Sequence, residues 1–318
     1  MDSAKILALT GGVGGAKLAL GLTDLLGEDQ LEIVVNTADD FRHLGLNICP
    51  DIDTLLYTLS GKSNQQLGWG LAGESWAAMD ALEQLGGETW FRLGDKDLAT
   101  HLWRTQALGD GTCLAQVTDN LAKRMGVQHS IHPMSDDPVS TLVHSDEGDL
   151  PFQHYFVRRQ CAPAVTGFSF RGLDRAVVNP AVSELIASQS LKGVVICPSN
   201  PFVSVDPILR LPGFYESLKA SHIPVIAVSP IVAGMAIKGP AAKMMAELNM
   251  PVTALAVAEH YAEHYPGLLN HFVIDQSDGT LAPVINELGM IAATTATIMK
   301  TREDKRALAE FVLRLLEI

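Results

Sequence analysis

Near its start the chain runs from a short apolar segment straight into a glycine-rich loop and then a helix. Ile6-Leu7-Ala8-Leu9 stops at Thr10 and passes into Gly11-Gly12-Val13-Gly14-Gly15-Ala16-Lys17. Beyond it Leu18, Leu20, Leu22, Leu25 and Leu26 recur with helical spacing. Leu31-Glu32-Ile33-Val34-Val35 reads as a second buried strand, ending at Asn36-Thr37-Ala38-Asp39-Asp40. Strand, helix, strand in so short a span is a βαβ unit and commits the chain to a parallel sheet.

Later segments repeat the theme. Gly193–Cys197, Pro224–Val228, Thr253–Val257 and His271–Asp275 read as strands with helical stretches between them, and Arg302 to Ile318 reads as a terminal amphipathic helix. Residues 60–110 look mostly helical. Ser140–Val143 and Phe152–Phe156 alternate polar and apolar residues and suggest small antiparallel strands. The expectation is an α/β fold: a Rossmann-like three-layer core with a parallel sheet, built from residues 1–60 and 180–318, plus a smaller inserted α+β subdomain at 61–179. A chain of 318 residues is long enough to bury such a core.

The formal net charge of −13 argues against non-specific nucleic-acid binding, since such a chain repels a phosphate backbone. If its ligand is nevertheless a phosphate, a divalent cation is expected between the ligand and nearby carboxylates. The four cysteines, Cys49, Cys113, Cys161 and Cys197, are too scattered for structural zinc or a disulfide framework. The start, Met1-Asp2-Ser3-Ala4-Lys5, lacks a secretory pattern, and no apolar run approaches the roughly 20 residues of a membrane span, so a cytoplasmic location without a membrane partner is expected.

Five blocks carry candidate chemistry. In the first loop, Gly11, Gly12, Gly14 and Gly15 let the backbone approach a diphosphate at a helix start; the competing reading is tight helix–sheet packing. It is not a Walker A loop, because Lys17 is followed by Leu18. The second block holds Asn36, Thr37, Asp39, Asp40, Asp51 and Asp53, where carboxylates gather past a strand end. Asp51 and Asp53 either share one hard cation or cap the following helix. The third, Gly94-Asp95-Lys96-Asp97, and the fourth, Ser135-Asp136-Asp137-Pro138, read alone as ordinary turns. The fifth combines Ser199, Asn200 and Ser229 at strand ends with Lys238 and Lys243, which suit a nucleoside and its phosphates as well as they suit turns. The ten histidines form no HExxH pattern, and no GxSxG elbow exists, so covalent catalysis is not expected.

In their order these blocks, with Val228-Ser229-Pro230-Ile231, resemble the 2-phospho-L-lactate transferase family of coenzyme F-420 biosynthesis. The resemblance implies a Mg²⁺-dependent enzyme, a homodimer in many members. It implies transfer of a three-carbon phospho-acid from a guanosine diphosphate ester to the ribityl hydroxyl of the deazaflavin 7,8-didemethyl-8-hydroxy-5-deazariboflavin, with GMP as leaving group. Carried over residue by residue, it assigns Asp51, Asp53 and Lys96 to catalysis, with Asp51 and Asp53 holding the metal. Gly11, Gly12, Gly14, Gly15, Asn36, Thr37, Asp95, Ser135, Asp136, Asp137, Ser199, Asn200, Ser229 and Lys243 would then bind the ligands. Trp69 and Trp76 are either walls for the deazaflavin or core. One rival is a related family of non-enzymatic nucleotide-sugar-binding morphogenesis factors, but Asp39-Asp40 continues here as Phe41-Arg42-His43 rather than as their Gly-Gly-Ser-Ser. The other is an NAD-dependent dehydrogenase, which wants an acidic residue where the second strand ends in Asn36.

Overall fold

The structure is a computed structural model that describes residues 4–237 and 239–317. The chain opens with β1 (Lys5–Thr10), α1 (Gly12–Thr23) and β2 (Leu31–Val35), then a hairpin of β3 (Phe41–His43) and β4 (Leu46–Ile48). Four helices follow: α2 (Pro50–Leu59), α3 (Ala77–Gln84), α4 (Asp95–Gly109) and α5 (Leu114–Met125). Next come β5 (Ser130–Pro133), β6 (Ser140–Ser145), β7 (Gly148–Pro151) and β8 (Val165–Arg171), then α6 (Pro180–Ala187) and β9 (Leu191–Ile196). The remainder is α7 (Asp206–Leu209), α8 (Phe214–Ser221), β10 (Val225–Val228), a short β11 (Ile231–Val232) and β12 (Met235–Ala236), α9 (Ala241–Glu247), α10 (Ala254–His264), β13 (His271–Asp275), α11 (Ala282–Glu287), β14 (Ile291–Thr295) and α12 (Arg302–Leu315).

Seven strands form one parallel sheet in the order β14-β13-β10-β9-β1-β2-β5. Its strands are near-continuous apolar runs because helices cover both faces. The period of two sends Leu7, Leu9, Val194 and Ile196 into one core cluster and Ile6, Ala8, Val195 and Cys197 into the other. The result is the expected three-layer α/β core, with small antiparallel sheets added. The largest of these is β7-β6-β8. Among the described residues no helix is long and apolar enough to cross a membrane.

Three local expectations are corrected. Thr253–Val257 is not a strand: the Thr253 hydroxyl accepts the Ala256 N–H, and the apolar run is the buried face of α10. Phe152–Phe156 is not a strand either; it turns into a π-helical segment, His154–Arg158, so the two phenylalanines stack at i and i+4. The span 61–179 is not wholly an insert, since β5 within it closes the edge of the main sheet beside β2.

Helix α1 packs on α12 at Gly21. A Cβ there would stand 2.1 Å from the Lys305 carbonyl oxygen, and neither helix backbone can yield alone. Gly21→Ala is therefore expected to cost about 1–3 kcal/mol through overpacking, despite alanine's better helix propensity. Denaturant titration checks this; an unchanged or raised midpoint would contradict it.

Candidate functional site

A cavity of about 600 Å³ opens at the carboxyl ends of β1, β9 and β10, where parallel sheets place ligands. Its floor is the loop between β1 and α1. Gly12 has φ +65°, which favours glycine. The Gly11 N–H donates to Ser199 Oγ at 3.0 Å, and the Gly12 N–H donates to Asp51 Oδ1 at 2.8 Å. Gly14 and Gly15 serve packing: added Cβ atoms would stand 2.2 Å from the Pro198 carbonyl oxygen and 2.0 Å from Thr10 Oγ1 respectively. Gly11, Gly12 and Gly14 line the cavity, while Gly15 lies behind it.

Asp51, in the first turn of α2, lies across this loop. Besides Gly12, it accepts Asn36 Nδ2 at 3.0 Å, and Asn36 is held by donating to Val203 O and accepting from Ala38 N. Burial pushes the Asp51 carboxyl up to about 6, against these two donors. Asp39 also lines the cavity; burial, and then the nearby charge of Asp51, hold its carboxyl well above the usual range. Asp39 Oδ1 and Asp40 Oδ1 are buried without a hydrogen-bond partner.

An acid with a raised folded-state pKa binds more protons folded than unfolded between its ordinary value of 3.8 and about 6. Asp51 therefore removes stability as the pH rises through that window. Asp51→Asn does not titrate there, so its stability relative to wild type is expected to increase from pH 4 to pH 7. Paired denaturation curves at the two values check this, and a constant difference would contradict it.

Asp53 does not face the cavity. It is buried against α4, where both Nη atoms of Arg104 bind its two oxygens. Asp51 and Asp53 thus point to different partners. Their two-residue spacing, on a helix, turns the side chains about 200° apart. Among the described residues no group of three or more His, Cys, Asp or Glu side chains is arranged for a metal.

Several other expected ligands make contacts within the protein. The Lys96 ammonium donates to Ala72 O and its backbone N–H to Glu74 Oε2, so it ties a loop onto α4. Asp95 accepts from Ser75 Oγ and the Ala77 and Ala78 N–H groups, capping α3. Ser135 donates to Val177 O, Asp136 accepts the Ala115 N–H of α5, and Asp137 accepts the Val177 N–H. Lys243 donates to Pro163 O and pairs with Glu247. Thr37 is buried just past the end of β2, with its hydroxyl unpartnered. None of these lines the cavity, whereas Ser199, Asn200 and Ser229 do. Lys238 lies outside the described residues.

The cavity has two unlike sides. Over β9, β10 and β14 it is lined by Ser199, Asn200, Ser229, Thr297 and Met299, with Lys17 rising from α1 to donate to Met299 O at 3.1 Å. The aromatic part of its lining is Trp69, Trp90, Phe91, Phe152 and Phe156. Trp76 is not on the wall; it meets Trp69 edge to face and carries Arg92 over its ring at 5.1 Å. Lys17 was visible in the sequence as the residue closing the glycine loop. Of the aromatic wall only Trp69 was named from the sequence as a wall residue; Trp90, Phe91, Phe152 and Phe156 come from two further segments.

A family model described as 2-phospho-L-lactate transferase CofD matches residues 6–287. The chain is 37% identical over 309 residues to the 2-phospho-L-lactate transferase of Methanosarcina mazei, covering 97% of this chain and 99% of that one. It is also 37% identical over 319 residues to the phosphoenolpyruvate transferase of Kitasatospora aureofaciens, with 98% of each covered. Among solved structures, a UPF0052 family protein from Bacillus halodurans superposes with a TM-score of 0.64 at 15% identity, covering 98% of this chain and 99% of that one. That likeness speaks to the fold alone.

Proposed function

The chain belongs to the 2-phospho-L-lactate transferase family, and from that premise we propose that it joins a three-carbon phospho-acid to a 5-deazaflavin alcohol, with a guanosine diphosphate ester as donor. The observation that carries this is the two-sided cavity. A polar side with a cation suits a nucleoside diphosphate, and a broad aromatic side suits a planar tricyclic ring. The two meet at the loop that Asp51 spans, so the reacting hydroxyl and phosphorus would come together there.

The residues act by positioning and charge. The N–H groups of Val13 and Gly14 lie in the first turn of α1, where no intrahelical acceptor exists, and present the positive end of the helix to the diphosphate. Lys17 offsets phosphate charge; Ser199, Asn200 and Ser229 hold the nucleoside. A terminal ribityl oxygen forms the new O–P bond as the bond from that phosphorus to the GMP oxygen breaks. The Asp39 carboxylate, on the cavity wall, takes the hydroxyl proton in its ionised form, its proton affinity raised by burial and the nearby charge of Asp51. The donor set also fits Mg²⁺, which is typically held by one or two carboxylates and substrate phosphates: Asp51 would hold it on the cavity floor. When bound, Mg²⁺ supplies charge neutralisation for the diphosphate.

Relatives carry names for two different phospho-acids, so both donors belong in the test. Asp39→Asn is expected to lower kcat by roughly 10²-fold or more, with the deazaflavin KM nearly unchanged. Steady-state GMP release measures it. Wild-type turnover in this variant would remove Asp39 from the proton path.

A further inference from the structure

We propose that Arg104 is a positioning residue for Asp51, acting through Asp53 across the packed faces of α4 and α2. It rests on the reading of Asp51 as the carboxylate that faces the substrates. Arg104 is the largest fully buried side chain among the described residues, at 0% exposure, and its guanidinium grips both Asp53 oxygens. A buried ion pair is seldom the most stabilising way to fill a core, but its planar fork fixes geometry tightly. Asp53 follows Asp51 by two residues in the first turn of α2. That turn has no side-chain cap, since Cys49 at the N-cap position makes none. It is held instead from two sides: Gly12 and Asn36 hold Asp51, and Arg104 holds Asp53.

The grip continues along both helices. The Tyr57 hydroxyl, one turn after Asp53, donates to Asp97 at 2.5 Å, and His101 Nε2 lies 3.2 Å from the same carboxylate. Asp97, His101 and Arg104 form one stripe of α4, matched to Asp53 and Tyr57 on α2. The Thr105 hydroxyl accepts the Asn47 N–H and so ties β4, just before α2, to the same helix. The start of α4 also anchors the loop behind Trp69: Glu74 accepts the Lys96 and Asp97 N–H groups. Helix α4 therefore joins the aromatic side of the cavity to the turn that aims Asp51, and Arg104 is the contact nearest that turn.

Two variants test this. Arg104→Lys keeps the charge and loses the fork. The double variant Asp53→Asn/Arg104→Gln replaces the ion pair by two amides of similar size and strands no charge. The Gly12 amide resonance in ¹⁵N-glycine-labelled protein reports the hydrogen bond to Asp51 without substrate, metal or turnover; kcat and KM are measured alongside. In folded variants the Gly12 amide is expected to move upfield as that bond loosens, and kcat to fall roughly tenfold or more with the deazaflavin KM within about twofold. Arg104→Lys should lie between wild type and the double variant. A folded variant whose Gly12 amide stays in place overturns the proposal, whatever its activity. Wild-type protein with no transfer activity would instead count against the proposed function, while the Gly12 resonance still decides the role of Arg104.

Discussion

Asp51→Asn is expected to lower kcat by about 10²–10³-fold, or about 3–4 kcal/mol of transition-state stabilisation. The substitution keeps the shape of the side chain and its place on α2. It removes the negative charge at the floor of the cavity and puts an amide where Asp51 accepts from Asn36 Nδ2. Asn36 cannot simply turn over, because its Oδ1 already accepts the Ala38 N–H. The loss should fall on kcat and on Mg²⁺ affinity. The deazaflavin, held by the aromatic side, should bind within about twofold of wild type. GMP release with either donor measures the first effect and fluorescence titration the second. Turnover within a fewfold of wild type would take Asp51 out of the chemistry.

Gly14→Ala is expected to cause a large loss of stability. Its Cβ would lie 2.2 Å from the Pro198 carbonyl oxygen, and both partners are backbone in well-packed segments. Relief requires α1 to shift from the end of β9, at an expected cost of about 3 kcal/mol or more. Gly12→Ala makes the informative contrast. Its Cβ would meet nothing closer than Asp51 Oδ1 at 3.8 Å, so only the positive φ opposes it, at about 1 kcal/mol. Urea or thermal unfolding of both checks the order. Equal losses would mean that backbone conformation, not close approach, is what the glycines serve.

The fold was legible where a local pattern and its tertiary setting agree. The run from Ile6 to Val35 shows strand, loop, helix and strand because each element is buried along much of its length and needs no distant partner to be recognised. Thr253–Val257 misled because a short apolar run has no period of its own, and the capping hydroxyl that decides for a helix looks like any strand-end threonine. The strand-end Ser199, Asn200 and Ser229 were legible as cavity residues for the same topological reason as the glycine loop.

The carboxylates were legible as a group but not singly. Asp51 and Asp53 are equivalent in sequence; only the arrival of Arg104 from a distant helix separates them. Lys96 sits in a family-like motif, and what the sequence could not show is that its ammonium reaches the Ala72 carbonyl. Asn36, where a dehydrogenase would place a ribose-binding acid, spends its side chain on Asp51 and Val203. Trp90, Phe91, Phe152 and Phe156 become one wall only because separate segments converge on the same cavity.

The most direct measurement is an incubation of the purified protein with the 5-deazaflavin alcohol, Mg²⁺ and guanosine diphosphate esters of phospholactate and of phosphoenolpyruvate, following GMP and the mass of the deazaflavin. The expected result is one GMP released per deazaflavin converted with at least one donor, and loss of both signals in Asp51→Asn. No GMP from either donor, together with saturable binding of a nucleotide sugar by the same protein, would contradict the proposed transfer reaction.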